Sequence, residues 1–303
     1  MRILLVGQAA FADEVLRGLE AAGDTIAAVV CPPDAGSKPD PVKATALARS
    51  IPVHQFRSLK SPEAVRAFAD ARADLGILAY VTQIVPELLL HVPRLASICF
   101  HPSLLPRYRG GSAINWQLIR GERETGVTVF WPDAGIDTGP ILLQRAAPVG
   151  PDDTAGSLYY RTLFPLGVQV VLDSVGLIRD GKAPRVVQDE SRATYDPLCR
   201  DEHAAIDWTR PVAEVHDLIR GCDPQPGAHT SWQGKAIRLY EPHRVTSPAT
   251  AQPGTVIAVD GEGITIAARG GGICCARLRN GGTKGAAADI ARTLGVEPGG
   301  RLG

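Results

Sequence analysis

The sequence has no charge bias and no apolar run long enough to cross a membrane. Its 32 lysines and arginines balance its 32 aspartates and glutamates, so the whole molecule has no net attraction to nucleic acid or to a membrane surface. The most apolar window, GILAYVTQIVPELLL (76–90), contains Gln83, Pro86 and Glu87 and is too short for a bilayer. Asp13 and Glu14 come too early for a secretory signal. We therefore expect a cytoplasmic protein without a membrane partner.

The cysteine and histidine spacings of a disulfide framework or a metal site are also missing. The six cysteines show no CxxC spacing, and the seven histidines show no HxxxH pair. In a chain of this length such cysteines are typical of reduced thiols. We expect neither disulfides nor a bound metal.

The turn after the first predicted strand lacks the glycines of a dinucleotide site. The run RILLVG (2–7) stops at Gly7, and QAAF follows where a dinucleotide-binding fold has the rest of GxGxxG. A nicotinamide-dependent oxidoreductase, the general expectation for an α/β chain, is therefore disfavoured.

What is present in residues 1–190 is an alternation of strand and helix patterns. Continuous apolar runs, typical of strands buried on both faces, occur at 2–7, 25–30, 75–80, 97–100 and 126–131. Segments with helical spacing of apolar residues separate most of them. This alternation predicts an α/β domain with a parallel sheet and right-handed crossovers.

The composition changes after a polar connector near residues 189–204. One helix pattern, PVAEVHDLIRG (211–221), precedes several short strand patterns separated by glycine, proline and aspartate turns. Closely spaced strands of this kind predict a small antiparallel barrel over 205–303. Within it, residues 269–303 carry six basic side chains against two acidic ones, a modest basic segment.

Histidine 101 directly follows an apolar run in SICFHPSLLPRYRGG (97–111). Taken alone, it is consistent with an ordinary hydrogen-bonded residue at a strand edge. Open α/β sheets, however, bind ligands beyond the carboxyl ends of their strands, where this residue falls. Cys99 lies two residues earlier, so its side chain points to the same face of the strand.

A second loop, WPDAGIDTGP (131–140), also follows a strand pattern and carries Asp133 and Asp137. Either aspartate alone is typical of a turn. Because the loop follows a strand of the same predicted sheet as His101, we expect the two loops to meet and to form an acid–base pair.

The order of HPSLLPRYRGGSAINW (101–116), DAGIDTG (133–139) and PDDTAGSLYYR (151–161) resembles the folate-dependent formyltransferases, and the resemblance covers nearly the whole chain. GQAAF, SICF, LFPLG and GKAPR look most similar to the amino-terminal hydrolase domain of 10-formyltetrahydrofolate dehydrogenase. The resemblance implies a Rossmann-like formyltransferase domain in 1–190 and a small OB-like β-barrel in 205–303. It also implies 10-formyltetrahydrofolate as cosubstrate, with no metal.

The same resemblance implies that His101 and Asp137 are catalytic and that two loops, 78–84 and 131–137, hold the pterin ring through backbone groups. The residues expected at that cofactor site are Leu78, Ala79, Tyr80, Gln83, Asp133, Gly135 and Ile136. Most transferases of the family have asparagine at the position of Cys99, although the dehydrogenase domain also lacks it. A thiol donates weakly, so Cys99 implies slower transfer or chemistry suited to water, and a nucleophilic role stays open.

The formyl acceptor is the open question. Methionyl-tRNA enzymes of the family have a long basic insertion after the second strand, whereas CPPDAGSKPDPVKATALA (31–48) is short and balanced in charge. We therefore expect water or a small-molecule amine as acceptor. Methionyl-tRNA is the alternative that the second domain and its basic segment support. Folate binding without turnover is an alternative of another class.

Overall fold

The computed structural model describes residues 1–34, 36, 38–248 and 251–303. Its contacts divide the chain into two compact units. The first consists of Met1–Gly111, Gly126–Ala147 and Thr162–Tyr195, and the second of Ser112–Thr125, Pro148–Arg161 and Asp196–Gly303. The expected domains, 1–190 and 205–303, remain a prediction, and the contact division differs from them by assigning two short segments, 112–125 and 148–161, to the second unit.

Seven strands form the sheet of the first unit, in the order β3-β2-β1-β4-β5-β6-β7. They are β1 Arg2–Gly7, β2 Thr25–Cys31, β3 Val53–Gln55, β4 Leu75–Ala79, β5 Ser97–His101, β6 Glu124–Phe130 and β7 Ile141–Pro148. The apolar strands β1 and β4 are buried almost throughout, as parallel strands covered on both faces are. Strands β1 to β5 pair in parallel, and the predicted α/β class is confirmed.

Nine α-helices lie within the described residues, and some of them begin at capping side chains. They are α1 Ala9–Ala21, α2 Pro41–Ala48, α3 Pro62–Asp70, α4 Glu87–Leu90, α5 Ala113–Ile119, α6 Ala155–Leu158, α7 Phe164–Arg179, α8 Val212–Gly221 and α9 Ala287–Thr293. The side chains of Asp40 and Ser61 cap α2 and α3, each followed by a proline in the first turn. In the first unit α1 packs against α2 and α7, which positions the turn after β1.

Strand β6 departs from the parallel pattern. It pairs antiparallel with β5, with Phe130 opposite Cys99 and Thr128 opposite His101. The sheet is therefore mixed, and the expected parallel pairing holds for β1 to β5 but not for β6. Because β6 runs towards the start of β5, the loop after it has to run back before Asp137 can reach His101.

The returning loop is tightly closed at its base. The N–H of Trp131 donates to the carbonyl of Pro140 at 2.9 Å. A Cβ at Gly139 would lie 1.8 Å from the Trp131 carbonyl oxygen, so only glycine fits there. This close approach explains the glycine that the sequence places after Asp137.

The second unit contains an antiparallel sheet in the order β10-β11-β12-β9-β8, with β13 beside β12. Its strands are β8 Ala228–Trp232, β9 Lys235–Val245, β10 Val256–Asp260, β11 Gly263–Ala268, β12 Gly271–Arg279 and β13 Gly285–Ala286. Its neighbouring strands pair antiparallel, as the strand spacing predicts. Ile237, Leu239, Ile264 and Ile266 are fully buried and contribute to its core.

The segment 112–125 belongs to the second unit because α5 packs on α8. Asn115 of α5 donates its side-chain amide to the carbonyl of Gly221 at 2.7 Å. A Cβ at Gly221 would lie 2.6 Å from the Ile119 side chain, so the glycine permits this close approach. The local sequence patterns do not indicate either contact. For that reason the sequence predicts α5 in the α/β domain.

One continuous helical stretch, Ala155–Arg179, is long and apolar enough by composition alone to cross a membrane. It includes α6, a π-helical turn at Tyr159–Leu163, and α7. Within the first unit α7 packs on α1, and its side chains Val170 and Val171 are fully buried. The apolar residues of α7 therefore serve the core of that unit.

Candidate active site

His101 is the last residue of β5 and is almost completely buried. Its strand lies between β4 and β6, and only 5% of the residue is exposed. The Nε2 atom of His101 lies 2.7 Å from the carbonyl oxygen of Tyr108. Because a carbonyl oxygen can only accept, Nε2 carries a hydrogen and donates it.

The loop that follows β5 holds this carbonyl in place. Tyr108 has a left-handed backbone, with φ at +60°, which turns the chain back on itself. The Ser103 hydroxyl donates to the carbonyl of Arg107 at 2.7 Å, and the Thr128 hydroxyl donates to the carbonyl of Ser103 at 2.6 Å. The loop is thereby closed against β6, and the acceptor for His101 is fixed.

Asp137 faces the other ring nitrogen. Its Oδ2 lies 3.4 Å from Nδ1 of His101 and accepts a 2.7 Å hydrogen bond from the N–H of Gly110. The 3.4 Å separation is longer than the usual N–H···O hydrogen bond of about 2.9 Å, so the carboxylate faces Nδ1 without forming a regular hydrogen bond. Asp137 has φ at +56°, a conformation that residues other than glycine rarely adopt.

The two contacts give the ring nitrogens of His101 different tasks. A neutral imidazole has one N–H, and here that hydrogen lies on Nε2, facing Tyr108. Nδ1 faces the Asp137 carboxylate, so it is the nitrogen that can gain and release a proton during a reaction. An imidazolium formed in that way can stabilise an oxygen that becomes negative.

Asp133, in the same loop, has a different role. Its Oδ1 accepts from the N–H of Gly135 at 3.0 Å and from the Thr138 hydroxyl at 2.5 Å. These are the contacts of a turn-forming aspartate. Ile136, between the two aspartates, is 45% exposed. Of the two carboxylates that the sequence offered, the structure brings only Asp137 to His101.

Cys99 lies beside the pair as a protonated thiol. Its strand position is opposite Leu78 of β4, and its Sγ lies 3.6 Å from the carbonyl of Phe100. Burial, together with the nearby Asp137 carboxylate, raises the pKa of the Cys99 thiol well above its ordinary value. A thiol held in this form is a poor nucleophile.

The predicted pterin loop 78–84 begins at the carboxyl end of β4. Leu78 and Ala79 are buried within that strand, whereas Tyr80 has φ at +62° and is 45% exposed. Tyr80 and Gln83 help to line a largely apolar pocket that is open to solvent. The other walls come from the ends of β1 and β2 and from the segment after β3, including Gly7, Cys31, Phe56 and Leu59.

The turn after β1 offers little to an anion. The N–H of Ala9, at the start of α1, donates to both carboxylate oxygens of Asp40, at 3.0 and 2.9 Å. A phosphate held at a helix N-terminus uses such amide hydrogens. Here a carboxylate of the protein already occupies that position, in agreement with the missing glycine-rich turn.

Within the part of the chain that the structure describes, no group of three or more histidine, cysteine, aspartate or glutamate side chains is arranged to hold a metal ion. The six cysteines are free thiols. Activity without a metal stays a prediction.

Four residues that take part in the site were not singled out from the sequence: Tyr108, Arg109, Gly110 and Gln188. Tyr108 and Gly110 act through backbone groups, so their side-chain types carried no signal. Arg109 and Gln188 are buried polar residues, 7% and 5% exposed, joined by hydrogen bonds of 3.2 and 2.8 Å. They lie 79 positions apart, and no local pattern relates them.

Both parts of the chain match known family models. A model described as formyl transferase matches residues 1–172, and one described as formyl transferase, C-terminal domain, matches residues 199–294. A methionyl-tRNA formyltransferase of Geobacter sulfurreducens is 39% identical over 310 residues, covering 100% of this chain and 97% of that protein. The mitochondrial 10-formyltetrahydrofolate dehydrogenase of Mus musculus is 41% identical over 82% of this chain. That alignment covers 27% of the dehydrogenase, so the chain spans about a quarter of its length.

Solved structures share the fold. HypX from Aquifex aeolicus, in complex with tetrahydrofolic acid, superposes with a TM-score of 0.73 at 20% identity, covering 97% of this chain and 47% of HypX. An N-formyltransferase from Helicobacter canadensis, with folinic acid and dTDP-3-aminofucose, gives a TM-score of 0.69 at 18% identity over 90% of this chain and 98% of its own. The predicted Rossmann-like fold class is confirmed. Because one family model covers more than half of the chain and the Geobacter protein is similar along its whole length, this chain belongs to the formyl transferase family.

Proposed function

We propose that this protein takes the formyl group of 10-formyltetrahydrofolate and passes it to water or to the amine of a small molecule. The observation that carries the proposal is the buried His101, held between the Tyr108 carbonyl at 2.7 Å and the Asp137 carboxylate at 3.4 Å. Both residues lie within the region that matches the formyl transferase family model. The geometry supplies a proton donor and a carboxylate at one point, as acyl transfer from nitrogen requires.

The cosubstrate supplies a formyl carbon bonded to N10, and the chain supplies the charges around it. When the acceptor attacks that carbon, the formyl oxygen becomes negative. Asp137 takes the proton that the attacking water or amine releases and passes it to Nδ1 of His101, because Nε2 is engaged with the Tyr108 carbonyl. The positive charge then carried by His101 stabilises the formyl oxygen, and the same proton passes to N10 as the carbon–nitrogen bond breaks. A lost donor to such an oxyanion typically costs about 3 kcal/mol.

The pterin ring is assigned to the two loops beside this pair. Tyr80 and Ile136, each 45% exposed, offer an aromatic and an aliphatic surface to a flat ring. The backbone groups of Leu78, Ala79 and Gly135, with Gln83 and Asp133, are the remaining proposed contacts. Asp133 is already bonded to its own loop, so its role there is to shape the backbone.

Two features support a small acceptor. Cys99 stands where most transferases of the family have asparagine, so one amide donor to the oxyanion is missing. The N–H of Ala9, at the start of α1, already donates to the Asp40 carboxylate. This contact disfavours a phosphate-bearing acceptor at that turn.

Methionyl-tRNA is the second candidate acceptor, because the relative from Geobacter sulfurreducens, a methionyl-tRNA formyltransferase, matches along the whole chain. Against it stands the segment after β2. Lys43 is paired with Asp34 there, so it is not a free cation for a phosphate backbone. Residues 35 and 37 of this segment lie outside the described residues.

The test is to follow 10-formyltetrahydrofolate loss with water alone, with amino sugars or amino acids, and with methionyl-tRNA. We expect tetrahydrofolate to form with water or a small amine, accompanied by formate or a formylated amine. Efficient formylation of methionyl-tRNA would favour the second candidate. Tight binding of a non-hydrolysable folate analogue, with no turnover in any mixture, would indicate a protein that binds folate without catalysis.

A further inference from the structure

A segment between the two matched family regions forms hydrogen bonds to both loops of the site. The family models end at residue 172 and resume at residue 199, and the segment concerned, residues 186–195, lies between them. We call it the connecting strap. Its contacts described below lie within the first unit of the chain.

At one end of the strap, the side-chain amide of Gln188 binds the turn that contains Asp137. Its Nε2 donates to the carbonyl of Asp137 at 2.8 Å and to the carbonyl of Gly139 at 2.7 Å. Both hydrogens of the amide are thus used on one turn. Gln188 is 5% exposed, so water does not compete freely for these bonds.

Arg109 determines which way this amide points. Its Nε and Nη2 donate to Oε1 of Gln188 at 3.2 and 2.8 Å, and its Nη1 and Nη2 donate to the Glu190 carboxylate at 2.9 and 2.7 Å. An arginine can only donate, so Oε1 must face it and Nε2 must face the two carbonyls. The orientation of the amide is therefore set by charge.

At its other end the strap holds the loop that positions the second partner of His101. The Thr194 hydroxyl accepts from the N–H of Tyr108 at 2.7 Å, and the Thr194 carbonyl accepts from the N–H of Arg109 at 2.9 Å. The N–H of Thr194 donates to the carbonyl of Pro106 at 3.2 Å. The strap thus bonds to both loops that contact His101.

We infer that Gln188 is a positioning residue of the active site: it holds Asp137 in its left-handed conformation, at ion-pair distance from His101, and Arg109 fixes its orientation. The left-handed backbone of Asp137 is unfavourable for an aspartate and persists only where neighbouring bonds hold it. The two carbonyls that Gln188 binds flank this turn. The kinetic part of this inference rests on the proposed function.

The test replaces the amide by a side chain of similar size that cannot donate. Gln188→Met should lower kcat for 10-formyltetrahydrofolate consumption at least about tenfold, because small displacements of a catalytic group cost up to about 100-fold. KM for the folate should change less than about twofold, because the Gln188 amide is bonded within the protein. In an Asp137→Asn background the same substitution should change kcat by less than about twofold, because its effect passes through the carboxylate.

Gln144→Met is the matched control. Gln144 also donates its amide to a backbone carbonyl, that of Leu105 at 2.8 Å, and to the Thr128 hydroxyl at 2.8 Å. Neither of these two bonds involves Asp137. Gln144→Met should change kcat by the same factor in the wild-type and Asp137→Asn backgrounds, whatever the size of that factor. Glu190→Gln, on a side chain 68% exposed, is a second variant that should fold and lower kcat in the same direction by a smaller factor.

A readout independent of turnover separates this inference from the proposed function. The ¹⁵N resonances of the His101 imidazole, identified by comparison with His101→Asn, report the surroundings of each ring nitrogen. We expect the Nδ1 resonance, which faces Asp137, to shift in Gln188→Met, and the Nε2 resonance, which faces Tyr108, to shift less. Unchanged resonances, or equal kcat losses in both backgrounds, would overturn the inference. A wild type that consumes no folate but shows the expected resonances would overturn only the proposed function.

Discussion

The turn after β1 and the loop after β5 both begin at the carboxyl ends of parallel strands in one sheet, yet their polar groups are arranged differently. At the first, the N–H of Ala9 donates to the carboxylate of Asp40. At the second, His101 is buried with an acceptor at each ring nitrogen. The first position is closed by the protein's own anion, and the second holds the pair to which we assign the reaction.

This difference shows that the strand order alone does not decide which strand end becomes the site. The carboxyl ends of parallel strands are available in every open α/β sheet. What distinguishes the loop after β5 is a set of bonds from elsewhere in the first unit, from Thr128, Asp137 and the connecting strap. The following changes test each side of the comparison.

The largest expected effect is at the loop after β5. His101→Ala and Asp137→Asn should each lower kcat by about 100-fold or more, the usual size for general acid–base groups. Asp133→Asn, four residues away in the same loop, should lower kcat much less, because Asp133 bonds only to its own turn. Steady-state kinetics with the true acceptor measures all three. Near-full activity of both His101→Ala and Asp137→Asn would show that the pair does no chemistry.

A smaller effect is expected at Cys99, beside His101. Cys99→Asn adds an amide donor where the thiol donates weakly, so transfer to an amine should rise several-fold relative to hydrolysis. The larger side chain has to fit beside Leu78, and thermal unfolding checks that it does. The measurement is the ratio of formylated amine to free formate at equal folate. An unchanged ratio in a folded variant would leave Cys99 as a packing residue only.

The turn after β1 is expected to affect stability rather than activity. Asp40→Ala removes the cap of α2 and the acceptor for Ala9, and should lower the free energy of unfolding by about 1 kcal/mol with little change in kcat. Inorganic phosphate should then stabilise the variant more than the wild type, since an amide hydrogen has been freed. Asp34→Asn, which removes the charge paired with Lys43 and leaves the Asp40 carboxylate in place, is the control. A loss of kcat larger than tenfold in Asp40→Ala would make this turn part of the site.

Stability should also fall at alkaline pH through the buried thiols. The pKa of Cys99 is raised in the folded protein, by burial first and by Asp137 second. The unfolded chain therefore loses this proton at lower pH than the folded one, and the contribution to stability is present below the ordinary thiol pKa of about 8.5 and decreases above it. Urea unfolding at neutral and alkaline pH should show a smaller decrease for Cys99→Ala than for wild type. Equal decreases would show that the thiol is not shielded.

The smallest effect is expected from two additives, a chelator and NAD, neither of which should change activity. Chelator-treated protein should keep its activity, and added NAD should not change it, because the proposed chemistry is performed by His101 and Asp137. A requirement for either additive would replace the proposed mechanism.

Much of the fold could be predicted because the elements have local signals. Apolar runs predicted the buried strands, and Asp40 and Ser61, each before a proline, are capping residues at helix starts. The direction of β6 could not be predicted, because an apolar run looks the same in parallel and antiparallel pairs. β3 has only three residues and gave no periodic pattern. The grouping of α5 with the second unit depends on Gly221, which is 106 residues from its partner Asn115.

The candidate site also has parts that the sequence could predict and parts that it could not. His101 and Asp137 could be proposed because they follow strand patterns in loops that resemble a known family. The groups that hold them could not, since Tyr108 and Gly110 use backbone atoms and Gln188 is 51 residues from Asp137. Asp133 and Asp137 are equivalent in the sequence, and only the fold of their loop separates the turn residue from the partner of His101.

The most direct test of the central claim is a single-turnover experiment. Excess wild-type protein, Asp133→Asn and Asp137→Asn are each mixed with 10-formyltetrahydrofolate and acceptor, and the tetrahydrofolate formed is measured over time. The account predicts similar rates for wild type and Asp133→Asn and a rate about 100-fold lower for Asp137→Asn. Equal rates for the three proteins, or no tetrahydrofolate from the wild type with any acceptor, would contradict it.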